Sequence, residues 1–328
     1  MVKKIFVGNY KGGVGKTTTV FEIGALLAEK HQKKVLLIDL DPQCSLSKVC
    51  GRISDINLSD LKIEETLNFD IELYGEYINE ATKLDILEDT IFTDFDKIKD
   101  SIKNIKKYSE NGGRLDFIPT VLDMKNARLN DIAERLSKNK ASIISISKIF
   151  SDINEKNEYD YILFDCPPTS NTIIQGVFLY SNYYLIPTIG DEISSDGVAD
   201  YIREIEGTYL KYAFCDEVGG LVLKKYFGEN SSLIGVLRTM YKVRKGDNNN
   251  SQILENLDSS ISILGIKSII SQSKYTIKDK SHIFDIEIKH LDNRTNVKNL
   301  GLPITVSNGD IHGEYEEITR ILIDLLKG

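Results

Sequence analysis

Short runs of Val, Ile, Leu and aromatic residues recur along the chain, and between them the apolar positions return every three or four residues. The runs at 5–8, 35–38, 115–119, 159–164, 184–187 and 233–240 show little polar alternation, as a strand covered on both faces of a parallel sheet requires. Residues 19–28, 143–153, 195–209 and 313–327 have helical spacing instead. In the last of these, Tyr315, Ile318, Ile321, Leu322, Leu325 and Leu326 fall on one stripe while Glu314, Glu316, Glu317 and Asp324 lie elsewhere, which predicts a core-facing helix. Strand and helix alternate from the first residues onward. That order predicts an α/β fold, a doubly wound, mostly parallel sheet flanked by helices, with ligands gathering at the carboxyl ends of the strands.

With 328 residues, 41% of them hydrophobic, the chain can bury a full core, and a single domain over 1–328 is expected. No run of about 18 apolar residues occurs and no charged-then-apolar leader opens the chain, so a cytoplasmic protein is expected. Cys44, Cys50, Cys166 and Cys215 form no C-x-x-C pair, and His31, His282, His290 and His312 build no ligand cluster with them. Neither a disulfide nor a zinc or iron–sulfur site is therefore expected. The net charge of -8 argues against a protein that coats DNA over its whole surface, but the charge is unevenly spread. Residues 224–298 hold 13 Lys plus Arg against 8 Asp plus Glu, whereas residues 52–110 hold 8 against 15. A polyanion would meet the first segment.

Three strand ends carry candidate chemistry. Lys11-Gly12-Gly13-Val14-Gly15-Lys16-Thr17-Thr18 stands between the first strand and the first helix. Its three glycines let successive N–H groups turn into one concavity, and the helix adds the positive end of its dipole, so the eight residues form a phosphate cradle. Lys16 can reach the β- and γ-phosphates and the Thr17 hydroxyl can ligate magnesium. A glycine-rich turn without a ligand would have no use for a lysine on each side of its glycines. The first glycine of the general phosphate-loop pattern should stand at Tyr10, and Lys11 is a cation that the pattern does not need. The second strand ends in Asp39-Leu40-Asp41-Pro42-Gln43, whose carboxylates at i and i+2 face the same side. Alone this would be an ordinary strand-ending turn; after a phosphate loop it reads as part of the site. The run 159–164 ends in Asp165-Cys166-Pro167-Pro168, where Asp165 can hold magnesium opposite Thr17, with Asp39 a further candidate ligand. Cys166 has no histidine nearby in sequence and reads as a packed neighbour rather than a nucleophile.

Together these segments resemble the deviant Walker A, switch I (Walker A′) and Walker B motifs of the ParA/MinD superfamily of P-loop ATPases. The resemblance covers residues 8–190 and continues weakly toward the C-terminus. It implies ATP and Mg2+, an ATP-dependent homodimer in which Lys11 reaches the partner's nucleotide, and an Asp41 that orients the attacking water, giving Lys11, Lys16 and Asp41 as the catalytic set. The family usually continues switch I with Gly-Asn, whereas this chain has Cys44-Ser45. The resemblance further implies a ParA-type ATPase of plasmid or chromosome partition, nucleoid-associated in its ATP form, that binds double-stranded DNA non-specifically and is stimulated by a ParB-like centromere-binding protein. Tyr241-Lys242-Val243-Arg244-Lys245 stands where the family commonly has Tyr-Asp-x-Arg, which makes Arg244 the main DNA candidate. Arg238, Lys242, Lys245, Lys224 and Lys225 follow it. No helix-turn-helix module precedes the loop, so the short class without its own operator-binding module is expected. Against compact members, an acidic helical insertion is expected at about 52–110, with Phe95, Ile98, Ile102 and Ile105 at helical spacing, and a smaller one at about 274–299. A MinD-like positioning ATPase is one alternative, although the acidic final helix does not resemble that group's basic membrane anchor. A nucleotide-gated regulator or conjugation accessory protein would show the same motifs. A reductase resembling the nitrogenase iron protein would need cluster-ligating cysteines in other places.

Overall fold

The computed structural model describes residues 1–83, 100–109, 112–122, 127–189, 192–215, 218–241, 249–289 and 313–327. Among the described residues eight strands form one sheet: β1 (Lys3–Val7), β2 (Lys34–Asp39), β3 (Lys103–Asn104), β4 (Arg114–Ile118), β5 (Tyr161–Asp165), β6 (Tyr183–Ile189), β7 (Ser232–Tyr241) and β8 (Ile283–Lys289). Their order is β3-β4-β2-β5-β1-β6-β7-β8, and every pairing is parallel except that of β3 with β4. The first strand thus lies inside the sheet between β5 and β6, with Val7 opposite both Asp165 and Leu185.

Period-two alternation divides the core into two layers. Phe6, Leu36, Ile38, Ile162 and Phe164 enter one buried cluster, while Ile5, Val7, Val35, Leu37, Tyr161 and Leu163 enter the other. The helices are α1 (Lys16–Glu29), α2 (Ser45–Ile53), α3 (Leu67–Lys83), α4 (Leu129–Ser137), α5 (Ile144–Asn157), α6 (Thr172–Tyr180), α7 (Glu192–Leu210), α8 (Gly220–Phe227), α9 (Asn249–Ile263) and α10 (Gly313–Leu325). Residues of α1, α2 and α10 cover the second face; those of α3 to α9 cover the first. The final helix buries Tyr315, Ile318, Ile321 and Leu322 as the stripe requires, and the Tyr315 hydroxyl lies 3.1 Å from Thr19 Oγ1 on α1.

Two local expectations change. The stretch expected as a small insertion at 274–299 supplies β8, an edge strand of the main sheet whose Ile283 and Phe284 are buried; residues 290–299 lie outside the described part. Within 52–110, α3 is a 17-residue helix packed on α4 and α5, Ile105 is buried, and Phe95 and Ile98 lie outside the described residues. The segment ends in β3, two residues long and opening on Lys103, a short edge of the kind that discourages pairing with other chains.

Candidate functional site

The phosphate loop leaves β1 at Gly8, where a Cβ would lie 2.1 Å from the Tyr201 hydroxyl, so the close approach of α7 admits only glycine. Tyr10, standing where the general pattern has glycine, packs its ring edge-on against Tyr201 at 4.7 Å between centroids. Asn9 is buried and ties the loop twice: its Nδ2 donates to the Pro187 carbonyl at 2.8 Å, and its Oδ1 accepts the Lys11 N–H at 3.0 Å. Gly13 and Gly15 take positive φ of 73° and 77°, the left-handed region that glycine enters without strain. Gly15 is also the N-cap of α1, whose first turn has neither a side-chain cap nor an acidic residue. Its N–H groups and dipole are therefore left for an anion from outside the helix.

Lys16 is buried, and its ammonium donates to the carbonyls of Asn9 at 3.2 Å and Lys11 at 3.0 Å, bridging the loop. Burial lowers its pKa while the charges of Asp165, Asp41 and Cys166 act to raise it. A cavity of about 700 Å³ opens over the loop, walled by Gly12, Gly13, Gly15, Lys16, Thr17 and Thr18, by Asp41, Pro42, Gln43 and Ser45, by Pro167, Pro168 and Thr169, and by Asn130 and Met240. Lys11 is not among these lining residues.

Asp39 and Asp165 are register partners on β2 and β5, and both are buried. Burial drives both carboxyls above their usual range, Asp39 to about 6; the charge of Asp41 pushes both the same way, and that of Asp39 also raises Asp165. Their bonding differs. Asp39 Oδ1 accepts the Asp41 N–H at 3.1 Å and Oδ2 accepts the Ser47 N–H at 2.7 Å. Since Ser47 is in the first turn of α2 and Cys44, the N-cap at φ 53°, gives no side-chain cap, Asp39 caps this helix from the strand. Asp39, expected as a further metal ligand, thus has each oxygen accepting a backbone N–H. Asp165 accepts a hydrogen bond from Thr17, yet its Oδ2 is buried without a partner. A buried carboxylate oxygen without a donor, beside a threonine hydroxyl and an open phosphate cradle, fits a hard cation. Asp41 lies at the cavity wall with Oδ1 accepting the Gln43 N–H at 2.8 Å. Cys166 is fully buried, which pushes its thiol pKa well up and leaves it inert as a nucleophile.

Two residues at the site carried no sequence signal. Thr239 on β7 is buried and donates its hydroxyl to the Val14 carbonyl at 2.7 Å and the Thr188 carbonyl at 3.2 Å, fastening the phosphate loop to two strands beyond it. Asn130 reaches the cavity from α4. Only the neighbour relations of the folded sheet could have revealed either.

The DNA candidates separate. Arg238 is buried on β7 and ion-paired with Glu287 of β8, which corrects its assignment as a DNA contact, because an arginine enclosed in the sheet cannot meet a phosphate backbone. Lys224 and Lys225 are exposed on α8, Lys224 bonded to Glu229 at 3.0 Å. Lys242, Arg244 and Lys245 lie outside the described residues.

Residues 2–213 match the family model AAA_31, described as an AAA domain. The sporulation initiation inhibitor protein Soj of Bacillus subtilis is 25% identical over 282 residues, 86% of this chain and 89% of Soj. The virulence plasmid ParA family protein pGP5-D of Chlamydia psittaci is 27% identical over 280 residues, 82% of this chain and 87% of its own length. Apo McdA of Cyanothece superposes with a TM-score of 0.63 at 18% identity, over 98% of this chain and 100% of McdA, a likeness of fold.

Proposed function

The chain belongs to the AAA domain family matched by residues 2–213, as a ParA-type P-loop ATPase of the ParA/MinD superfamily, and on that premise we propose that it is a partition ATPase. Its ATP form is a homodimer that binds double-stranded DNA without sequence preference, and a ParB-like partner stimulates its hydrolysis. The observation that carries the reading is the joining of Lys16, the uncapped start of α1 and Asp41 around one cavity, with the unpartnered oxygen of Asp165 on the carboxylate that accepts from Thr17 in the cavity wall.

ATP is the substrate. Bound magnesium would neutralise charge on the phosphate oxygens, and the Thr17 hydroxyl and Asp165 carboxylate are the groups that would hold it. The N–H groups of 12–18 receive phosphate oxygens, and Lys16 trades its two loop carbonyls for the β- and γ-oxygens. Asp41 orients the attacking water; its backbone is held by Asp39, which ties the turn to the start of α2. Lys11 stands outside the cavity wall of its own protomer, in keeping with a role at a second protomer's nucleotide. No described helix is long and apolar enough to cross a membrane, and the MinD-like alternative gains nothing from α10, whose apolar stripe is buried against α1.

Paired alanine variants test this reading. Lys16→Ala should abolish ATP binding measured by equilibrium dialysis. Lys11→Ala should keep nucleotide while losing ATP-dependent dimerisation on size-exclusion chromatography. Equal loss of nucleotide binding in both would remove the case for an inter-protomer lysine.

A further inference from the structure

We propose that Met240 is the wall on which the adenine ring of ATP rests, its thioether packed against one face of the base. The inference rests on the ATPase reading above and adds what the three motifs leave open, the end of the site that holds the nucleoside.

The strand order gives the bound nucleotide a direction. Asp41 follows β2, and Pro167, Pro168 and Thr169 follow β5; both strands lie on one side of β1, from whose end the phosphate loop starts. The groups that act on the terminal phosphate are gathered on that side, so the nucleoside extends the other way, toward β6 and β7. Met240, near the end of β7, is the described residue that walls the cavity there. The end of this strand lies against the loop itself: the Thr239 hydroxyl donates to the Val14 carbonyl at 2.7 Å, and a Cβ on Gly15 would stand 3.7 Å from Thr239. A base on Met240 is thus one residue away from the fastening that holds the phosphate cradle.

The backbone at Met240 is unusual in a way that points at the cavity. Its φ is 54°, in the left-handed region that a bulky side chain seldom enters. Between Arg238 and Tyr241 the strand advances three residues while β8 advances two, from Glu287 to Lys289, so the ladder carries an extra residue here. A bulge of this kind re-aims a side chain, and strain of this kind marks sites of function. Core packing does not account for the residue: Met240 is half-buried and belongs neither to the two buried clusters nor to the apolar residues packed against them. It is nevertheless the one long apolar side chain among the described residues lining the cavity, the other apolar side chains being Pro42, Pro167 and Pro168 on the phosphate side. A polarizable thioether makes a favourable contact with an aromatic ring, and an apolar wall is what a ligand cavity offers to a flat base.

ATP and inorganic tripolyphosphate separate this contact from the phosphate cradle, because only ATP carries a base. Dissociation constants for both, with magnesium, should be measured by titration calorimetry on the full chain for wild type, Met240→Leu, Met240→Ala and Met240→Gly, with melting temperatures alongside. Ala and Gly should weaken ATP roughly three- to tenfold and leave tripolyphosphate within about twofold of wild type, a split that a merely structural role would not produce. Leu, which keeps an apolar side chain, should fall between wild type and Ala. Gly enters the left-handed region without strain, so Met240→Gly should melt no lower than Met240→Ala and its weaker ATP binding is not a loss of folding. An ATP affinity changed by less than about threefold in both Ala and Gly, or an equal loss for ATP and tripolyphosphate, overturns the inference and leaves the ATPase reading intact. A wild type that binds neither probe removes both.

Discussion

At the scale of single residues, the site is built from groups whose ordinary bonding is left incomplete. The Asp165 oxygen without a donor and the bare first turn of α1 are both unsatisfied until a cation and an anion arrive together. Asp41→Ala should therefore leave ATP bound while slowing hydrolysis at least tenfold, because the water loses its carboxylate and the phosphates keep Lys16; turnover equal to wild type would show that Asp41 is not the orienting residue. Thr239→Val, nearly isosteric, strips the hydroxyl from two buried carbonyls, at a cost of about 1–3 kcal/mol. Thermal unfolding should register that loss, and ATP affinity should fall with it, since Val14 sits in the loop. Where the cradle, Asp41 and Asp165 lie, at neighbouring strand ends, was readable in sequence because glycine, proline and charge at a strand end have a local meaning. Asn9, Thr239 and Asn130 were not, because an asparagine or threonine becomes part of a site only through neighbours 178, 225 or more residues away in the chain or through a cavity wall. Asp39 shows the limit from the other side: its position in the motif suits a ligand and a helix cap alike, and the Ser47 N–H that it caps is visible only in the fold.

At the scale of elements, runs of Val, Ile and Leu sufficed for the inner strands, which are covered on both faces, and the stripe sufficed for α10. The edge strand β8 was missed because Asp285 and Glu287 alternate with its apolar residues and its partner β7 lies some fifty residues upstream. The sequence reads 52–110 as an acidic helical insertion, and within it α3 carries an acid into the interior. Asp70, in its first turn, is buried and accepts a hydrogen bond from Ser101 at 2.8 Å; desolvation raises its pKa to about 7 in spite of the favourable helix end. The folded value exceeds the unfolded one, so the stabilising contribution of Asp70 is complete below about pH 4 and is lost as pH rises through 7. Asp70→Asn keeps the acceptor without the charge. Its stability relative to wild type should improve by about 2–3 kcal/mol between pH 5 and pH 8, read from urea unfolding at both values. A difference that does not change with pH would mean that Asp70 titrates normally.

At the scale of the whole molecule, an acidic chain must present its cations selectively to meet a polyanion. A two-fold dimer shows each basic surface twice to one duplex, so DNA affinity should depend on ATP, differ little between unrelated sequences and fall steeply with salt. Replacing Lys224 and Lys225 together by alanine, or Arg244 alone, should reduce the log–log salt slope by roughly 0.9 for each phosphate no longer neutralised. An unchanged slope in both would place the interface elsewhere. Arg238→Ala belongs to another class: it leaves the half-buried Glu287 without its cation, and its effect should appear in melting temperature before it appears in binding. The span of the fastenings also bears on how the protein is made. The phosphate cradle is complete in sequence at Thr18, but the hydroxyl that locks Val14 comes with Thr239, and the helix that seals α1 brings Tyr315 against Thr19. At roughly 5–20 residues per second, a ribosome takes about 15–60 s to travel from the loop to that last helix. A nascent or truncated chain that stops short of α10 should therefore carry the nucleotide motif without its grip, and firm ATP binding should require the residues through Tyr315.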